Sequence, residues 1–455
     1  MEFIKTSNEN IDSYKDFIPW NELSATFQEA IVICRRLNIS YLWIDSLCII
    51  QDNIHDWEEQ ASQMADIYAN SYLTIAATKA DDGSKGCFTE TSPEYLSKLI
   101  PGYQDTYVRH QVPILPLLWN HGLLKREVWP LLNRGWIYQE MRLSSRVLHF
   151  CAQEVIWQCQ TMQRSESGGE NDQDLKSRKG SSLSFAPYQV LEENPKYLWY
   201  RTVHEYSRLQ LTYESDKMAA LAGLAQRMKT LRPGDRYLVG LWEKTLLHDL
   251  LWYVTGQPTT ERRNPSFPSW SWASLNCQVN WAYGLDNVIG SVAIEDIKIF
   301  ETGLGHMGEC LEASITLKAP MLDARSLFAQ YHIRRAEGRS HFAHESVRAL
   351  HDQTRNTATN LDQINIVDYT PDTKVQHEGI AGIPGYIILL SPEIRARLTF
   401  GAIHVQRVSE SNYYTRVGHV DLSYPSSVLQ DPHQQNASLV RRLIEEIPTT
   451  TITLV

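Results

Sequence analysis

The sequence predicts an α/β core with a doubly wound, mainly parallel sheet, followed by a helical subdomain and a C-terminal antiparallel β-rich region. Three observations lead there. Helical and strand-like periods alternate through the first 80 residues, a helical period rich in Trp and Tyr runs from 196 to about 256, and period-two alternation takes over after about 290. At about 150 residues per domain, the 455-residue chain holds roughly three domains' worth of sequence.

Residues 22–38 (ELSATFQEAIVICRRLN) place Leu23, Phe27, Ala30, Ile31, Cys34 and Leu37 on one helical face and Glu29, Arg35 and Arg36 on the other, with Asn38 as the stop. YLWIDSLCII (41–50) is continuously apolar and short, the pattern of a strand covered on both faces. Residues 55–70 return to helical spacing through Trp57, Ala61, Met64, Ile67 and Tyr68, and YLTIAAT (72–78) is strand-like again. NRGWIYQEM (133–141) opens a second block, and VLHFC and EVIWQ flank Ala152-Gln153 as a hairpin. The polar stretch from 161 to 187 is expected as a linker or exposed insertion. Residues 188–262 are expected as a helical subdomain through KYLWYRTVHEYSRLQL, DKMAALAGLAQRMKTL and GLWEKTLLHDLLWYV. Strands are expected in SVAIEDIKIF, CLEASITLKA, GYIILLS and FGAIHVQRV, within a β-rich region at 263–455; the core occupies 1–160.

Composition narrows the function. Lys and Arg number 43 against 53 Asp and Glu, a net charge of −10, which argues against a nucleic-acid or anionic-membrane partner. The longest apolar run is half the length needed to span a bilayer, so no membrane span is expected. MEFIKTSNENIDSYKD lacks the apolar core of a signal peptide. Seven cysteines without CxxC spacing argue for free thiols in a reducing setting, so a cytoplasmic location is expected. His149, Cys151 and Cys159 are wrongly spaced for zinc, and no metal is expected. Generic phosphate-loop, dinucleotide, zincin and nucleophile-elbow motifs are absent.

YLWIDSLCIIQDNIHDWEEQASQMADIYANSYLTIAAT and NRGWIYQEMRLSSRVLHF together resemble the fungal heterokaryon incompatibility (HET) domain family. The likeness continues through YSRLQLTYESDKMAALAGLAQRM, YLVGLWEKTLLHDLLWYV and FPSWSWASL, covering most of residues 6–285. It implies a distantly TIR-like core and a cell-death effector of self/non-self recognition. Such proteins usually begin the domain with a strand ending in Ser-Tyr-x-Trp-Gly. Here TSNENIDSYKDFIPWNELSATF stands instead, so the first strand is expected to be missing and the crevice beside it altered.

Asp45 is a carboxylate in an apolar run, which is costly to bury unless it is paired or reaches a cleft. It is a candidate catalytic group, with helix capping or pairing to an arginine such as Arg134 as the structural alternative. Glu140 lies at i+4 from Trp136, so the two share a helical face. The TIR analogy implies that Glu140 stabilises an oxocarbenium-like state while nicotinamide leaves NAD, with Trp136 as a stacking face for the base. The alternative is that Arg134, Trp136 and Glu140 only lock helix to sheet. Gln51 and Asp52 follow the run as ligand-positioning candidates, with turn and N-cap duty as the other use. Cys48, Tyr68, Trp242, Trp252 and the SWSW run are expected to pack, some aromatics lining a pocket between subdomains.

Three functions remain open. They are a cell-death effector cleaving NAD at its N-glycosidic bond, a repurposed enzyme of secondary metabolism on a hydrophobic small molecule, and a non-catalytic signalling or assembly module. No cofactor is expected, NAD entering as substrate; the partners are another protein, a second copy or a small-molecule ligand.

Overall fold

Ser24 opens the first long helix of the computed structural model by accepting a hydrogen bond from the Phe27 amide. The structure describes residues 4–88, 90–110, 129–159, 163–166, 194–255, 263–281, 289–301, 310–325, 327–328, 365–373, 385–394, 398–409, 411–424 and 444–455. They divide into two compact units, residues 1–198 with 209–233, and residues 199–208 with 234–455.

In the first unit a short helix α1 (Ile11–Asp16) precedes α2 (Ala25–Arg36). Ala30 and Cys34 of the expected stripe are buried there together with Ile33, while Leu37 at the C-cap is 48% exposed. The expected strand at 41–50 does not form. Residues 41–44 pair with no strand, Ile44 having an extended backbone, and Asp45–Cys48 make a one-turn helix, α3. A short apolar run cannot be assigned to strand or helix by period alone. Asp45 at the first position also suits the positive end of a helix. Asn53 then caps α4 (Ile54–Asn70) by accepting from the His55 and Asp56 amides.

Strand β1 (Thr74–Ala76) runs parallel to β4 (Arg146–Phe150), Thr74 opposite Val147. Between them lie the small hairpin β2 (Lys98–Leu99) and β3 (Tyr107–Val108), and α5 (Gly135–Leu143). The predicted hairpin forms as β4 and β5 (Val155–Cys159), Arg146 opposite Cys159. The start of the expected linker is instead a strand, β6 (Gln163–Ser165), paired with β5. Residues 167–193, with the rest of that linker, lie outside the described residues. The four-stranded sheet is thus mixed, in the order β1-β4-β5-β6.

After α6 (Pro195–Tyr206), helix α7 (Ala219–Leu231) packs on α4 and α5 in the first unit. Gly223 is the contact point. A Cβ there would lie 2.6 Å from the Ala65 Cβ, and the Gly223 amide donates to the Gln139 Oε1 at 2.7 Å.

The second unit is built on buried tryptophans. Residues 240–254, expected as a helix, instead contain β8 (Leu241–Trp242), paired with the preceding β7 (Tyr237–Leu238), the one-turn helix α8 (Leu246–Asp249) and β9 (Trp252–Val254). Positive φ at Val239 and Gly240 (46° and 94°) makes the tight turn that joins β7 to β8. Trp199, Trp242, Trp252, Trp270, Trp272 and Trp281 are all fully buried, as expected of packing residues. The indoles of Trp199 and Trp272 both donate to the Gly240 carbonyl, at 2.8 and 2.9 Å.

Strand β10 (Val279–Trp281) pairs with β9. Seven strands then form one sheet: β11 (Ala293–Glu301), β12 (Cys310–Asp323), β13 (Asn365–Pro371), β14 (Tyr386–Ile394), β15 (Leu398–Arg407), β16 (Tyr413–Tyr424) and β17 (Thr449–Leu454). It is antiparallel as expected, except that β16 and β17 pair in parallel at Tyr413 and Tyr414. Asp372 joins the guanidiniums of Arg263 and Arg416 in its core, and Arg416 lies 3.3 Å from the centre of the Trp252 ring.

Gly223→Ala is expected to lower stability by about 1–3 kcal/mol, because the new methyl overpacks the α4–α7 contact; equilibrium urea unfolding of the full chain checks it. A second expectation concerns acid. Burial holds His404 down at about 4, and burial together with the Arg416 charge holds His419 at about 3, against an ordinary 6.5. The unfolded chain therefore takes up these protons first, so their stabilising contribution is complete above about pH 6.5 and is lost as pH falls through the folded values. Denaturant midpoints read by tryptophan fluorescence should drop steeply below pH 6.5, with a shallower slope in His419→Gln.

Candidate functional site

Two helix ends meet where the site lies. Tyr68 sits in the last turn of α4 and Glu140 in the second half of α5. A run of hydroxyls links their backbones. Ser71 Oγ donates to the Tyr68 carbonyl at 2.8 Å, contacts Thr74 Oγ1 at 3.2 Å, and Thr74 Oγ1 lies 2.6 Å from Ser144 Oγ, which donates to the Glu140 carbonyl at 2.7 Å. Three hydroxyl protons serve four contacts, so the bonds are shared. The hydroxyls add a second donor to end-of-helix carbonyls that the cap amides of Ser71 and Ser144 already meet.

The side chains converge on the other side. The Tyr68 hydroxyl lies near enough to the Glu140 carboxyl to shift its titration, and the edge of Trp43 meets the Tyr68 ring with centroids 5.7 Å apart. Burial pushes the Glu140 carboxyl from its ordinary 4.5 up to about 7, and the negative charge of Asp45 adds to the rise. The Tyr68 hydroxyl and the Arg134 guanidinium act in the opposite direction. Tyr68 itself is raised well above 10, by burial first and then by Glu140 and Asp45, so it remains a neutral donor. Two carboxylates are therefore electrostatically coupled, with one poised to exchange a proton near neutrality.

The structure distributes the expected residues unevenly. Asp45, Glu140 and Arg134 come together; Asp45 and Arg134 are exposed and Glu140 is half-buried. Asp45 does not sit in a buried strand, and its Oδ1 accepts from the Ser46 amide at 2.7 Å. Trp136 shares the α5 face with Glu140, but its indole N–H donates to Asp216 at 3.1 Å. Gln51 donates to the Asp45 and Ile49 carbonyls, and Asp52 accepts from the Asn8 amide at 2.8 Å, so both shape the loop. Tyr68, expected in the core, is half-buried and belongs to the site. Trp43 was missed; its position two residues before Asp45 was the available signal.

Other candidates lie elsewhere or are engaged. Cys48 is exposed rather than packed, and desolvation with the Asp45 charge pushes its thiol up, disfavouring the thiolate. His149 is buried, with Thr78 Oγ1 3.0 Å from its Nδ1 and Gln158 Oε1 3.1 Å from its Nε2. The second unit carries a groove of about 370 Å³ lined by residues 236–238 and 297–300, which include none of the expected site residues. No helix among the described residues is long and apolar enough to cross a membrane.

The raised Glu140 value has a stability consequence with a definite sign. Between 4.5 and about 7 the folded chain binds the proton more tightly, so stability falls as pH rises through that window. Glu140→Gln should match the wild type near pH 4 and exceed it at pH 8 by about 1–3 kcal/mol, read by thermal or urea unfolding. A variant less stable than wild type at pH 8 would contradict the strained carboxyl described above.

No match was found among curated proteins or among solved structures. Residues 4–140 match the family model described as heterokaryon incompatibility protein (HET), a segment that starts before the Asp45 loop and ends on Glu140, and this identifies that part of the chain as a HET domain.

Proposed function

We propose that the chain is a HET-type effector of self/non-self recognition whose first unit hydrolyses NAD at the N-glycosidic bond. The carrying observation is the coupled pair Asp45 and Glu140, with Glu140 held at about 7 beside Tyr68, Trp43 and the cationic Arg134. Nicotinamide leaves a pyridinium glycoside as a neutral molecule, so its departure needs no acid. What needs help is the positive charge that develops on the ribose, and two nearby carboxylates supply it. Water then attacks the anomeric carbon. Its proton passes to the Glu140 carboxylate, giving ADP-ribose, nicotinamide and, on release, one proton. Trp43 offers an aromatic face for the leaving base, and Arg134 a charge for phosphate. On this reading the α/β part is a reduced relative of the TIR-like, doubly wound type.

The test is incubation of the purified full chain with NAD while free nicotinamide is followed. Release is expected, with the rate rising to a plateau above about pH 7 as Glu140 loses its proton. Glu140→Ala should cut it by about a hundredfold or more. Tyr68→Phe removes a hydroxyl that lowers the Glu140 value, so its rising limb should move to higher pH. No release from wild type leaves the two other readings, which differ in that an assembly module shows mass increasing reversibly with concentration in light scattering.

A further inference from the structure

We propose that Thr6 is a positioning residue for Asp45, holding that carboxylate beside Glu140 through the single turn of α3. The inference rests on reading Asp45 and Glu140 as one site. A four-residue helix cannot hold its own shape, because nucleation costs more than one turn of hydrogen bonds returns. Its trailing carbonyls also lack intrahelical donors. Thr6 supplies them. Its amide donates to the Ser46 carbonyl at 2.8 Å and its Oγ1 to the Leu47 carbonyl at 2.7 Å, while its own carbonyl accepts from the Gln51 amide at 2.9 Å. One residue, 1% exposed, thus grips both sides of the loop.

Asn8 adds a second tie, its amide and side-chain nitrogen both donating to Asp52 Oδ1, at 2.8 and 3.1 Å. Asp45, by contrast, makes only local bonds. Its Oδ1 accepts from the Ser46 amide, and its carbonyl accepts from the Ile49 amide and the Gln51 side chain. Among the described residues, the hydrogen bonds that tie the 45–52 loop to other parts of the chain run to Thr6 and Asn8, and from the Ile50 amide to Asp56 Oδ2 in α4 at 2.6 Å. The N-terminal segment thus holds the turn of α3 itself, while α4 holds the end of the loop. Coulomb coupling weakens with separation, so any drift of α3 registers at Glu140.

The experiment is a titration of Glu140 in the full chain by NMR of selectively labelled glutamate carboxyls, with Glu140→Gln giving the assignment. Asp45→Asn should lower the Glu140 midpoint by about one unit, and Thr6→Val by about half a unit. Thr6→Ser keeps the hydroxyl and should titrate as wild type. Asn8→Ala, which leaves Thr6 in place, should give a smaller drop and covers the case in which Thr6→Val fails to fold. A wild-type midpoint in Thr6→Val or Asn8→Ala alongside a lowered one in Asp45→Asn overturns the proposal. An unmoved midpoint in Asp45→Asn overturns it together with the carboxylate-pair reading. Absent nicotinamide release with the Thr6→Val shift present removes the NAD reading and leaves the positioning role standing.

Discussion

The placing of the half-buried Glu140 carboxyl among Tyr68, Asp45 and Arg134 is the constraint on which the first unit's candidate site depends. Burial and Asp45 both drive the Glu140 carboxyl towards its protonated form, and the Tyr68 hydroxyl and Arg134 restrain it, leaving a value of about 7. Remove the restraint and the group becomes a plain buried acid. Remove the burial and it becomes an ordinary carboxylate. The hydroxyls of Ser71, Thr74 and Ser144 link the two helix ends, so the approach of Tyr68 to Glu140 depends on a backbone arrangement as much as on two side chains. On the far side, α7 presses on α4 and α5 through Gly223 and Gln139, which limits how far either helix can shift.

The second unit solves a different problem. Six buried indoles need partners for their N–H groups as well as volume, and four of them find backbone carbonyls: Trp199 and Trp272 share that of Gly240, Trp252 reaches that of Trp270, and Trp281 that of Asp249. A side chain on residue 240 would strike the Trp272 indole at 2.6 Å, so the close approach requires glycine. The buried charge is handled in the same spirit. Asp372 faces Arg263 and Arg416, and the Trp252 ring covers the Arg416 guanidinium, so the ions are paired and stacked within the core. These tryptophans serve the packing of that unit.

Much of this was readable from residue order. The helices α2 and α4, the β4–β5 hairpin and the alternating strands of the C-terminal sheet follow local period and capping chemistry, which a short window of sequence contains. Asp45 stood out as a carboxylate in an apolar run, costly to bury unless paired, and Glu140 through its i+4 spacing from Trp136 and the TIR analogy. Their neighbourhood was not readable. Trp43 looked like one apolar residue among many, Tyr68 like a core residue on a helical stripe, and Thr6 like part of a polar lead-in. Each acquires its role from a contact made across 25 or more residues.

Sequence alone thus determined α2, α4, the β4–β5 hairpin, the alternating strands of the C-terminal sheet, and the match of residues 4–140 to the HET family model. Tertiary structure decided the rest. It turned the 41–50 run into a segment that pairs with no strand and a single helical turn, because Thr6 offered donors to carbonyls that a lone turn cannot satisfy. It also decided which charges act on Glu140, since electrostatic coupling depends on distance through folded space and no spacing along the chain encodes that distance.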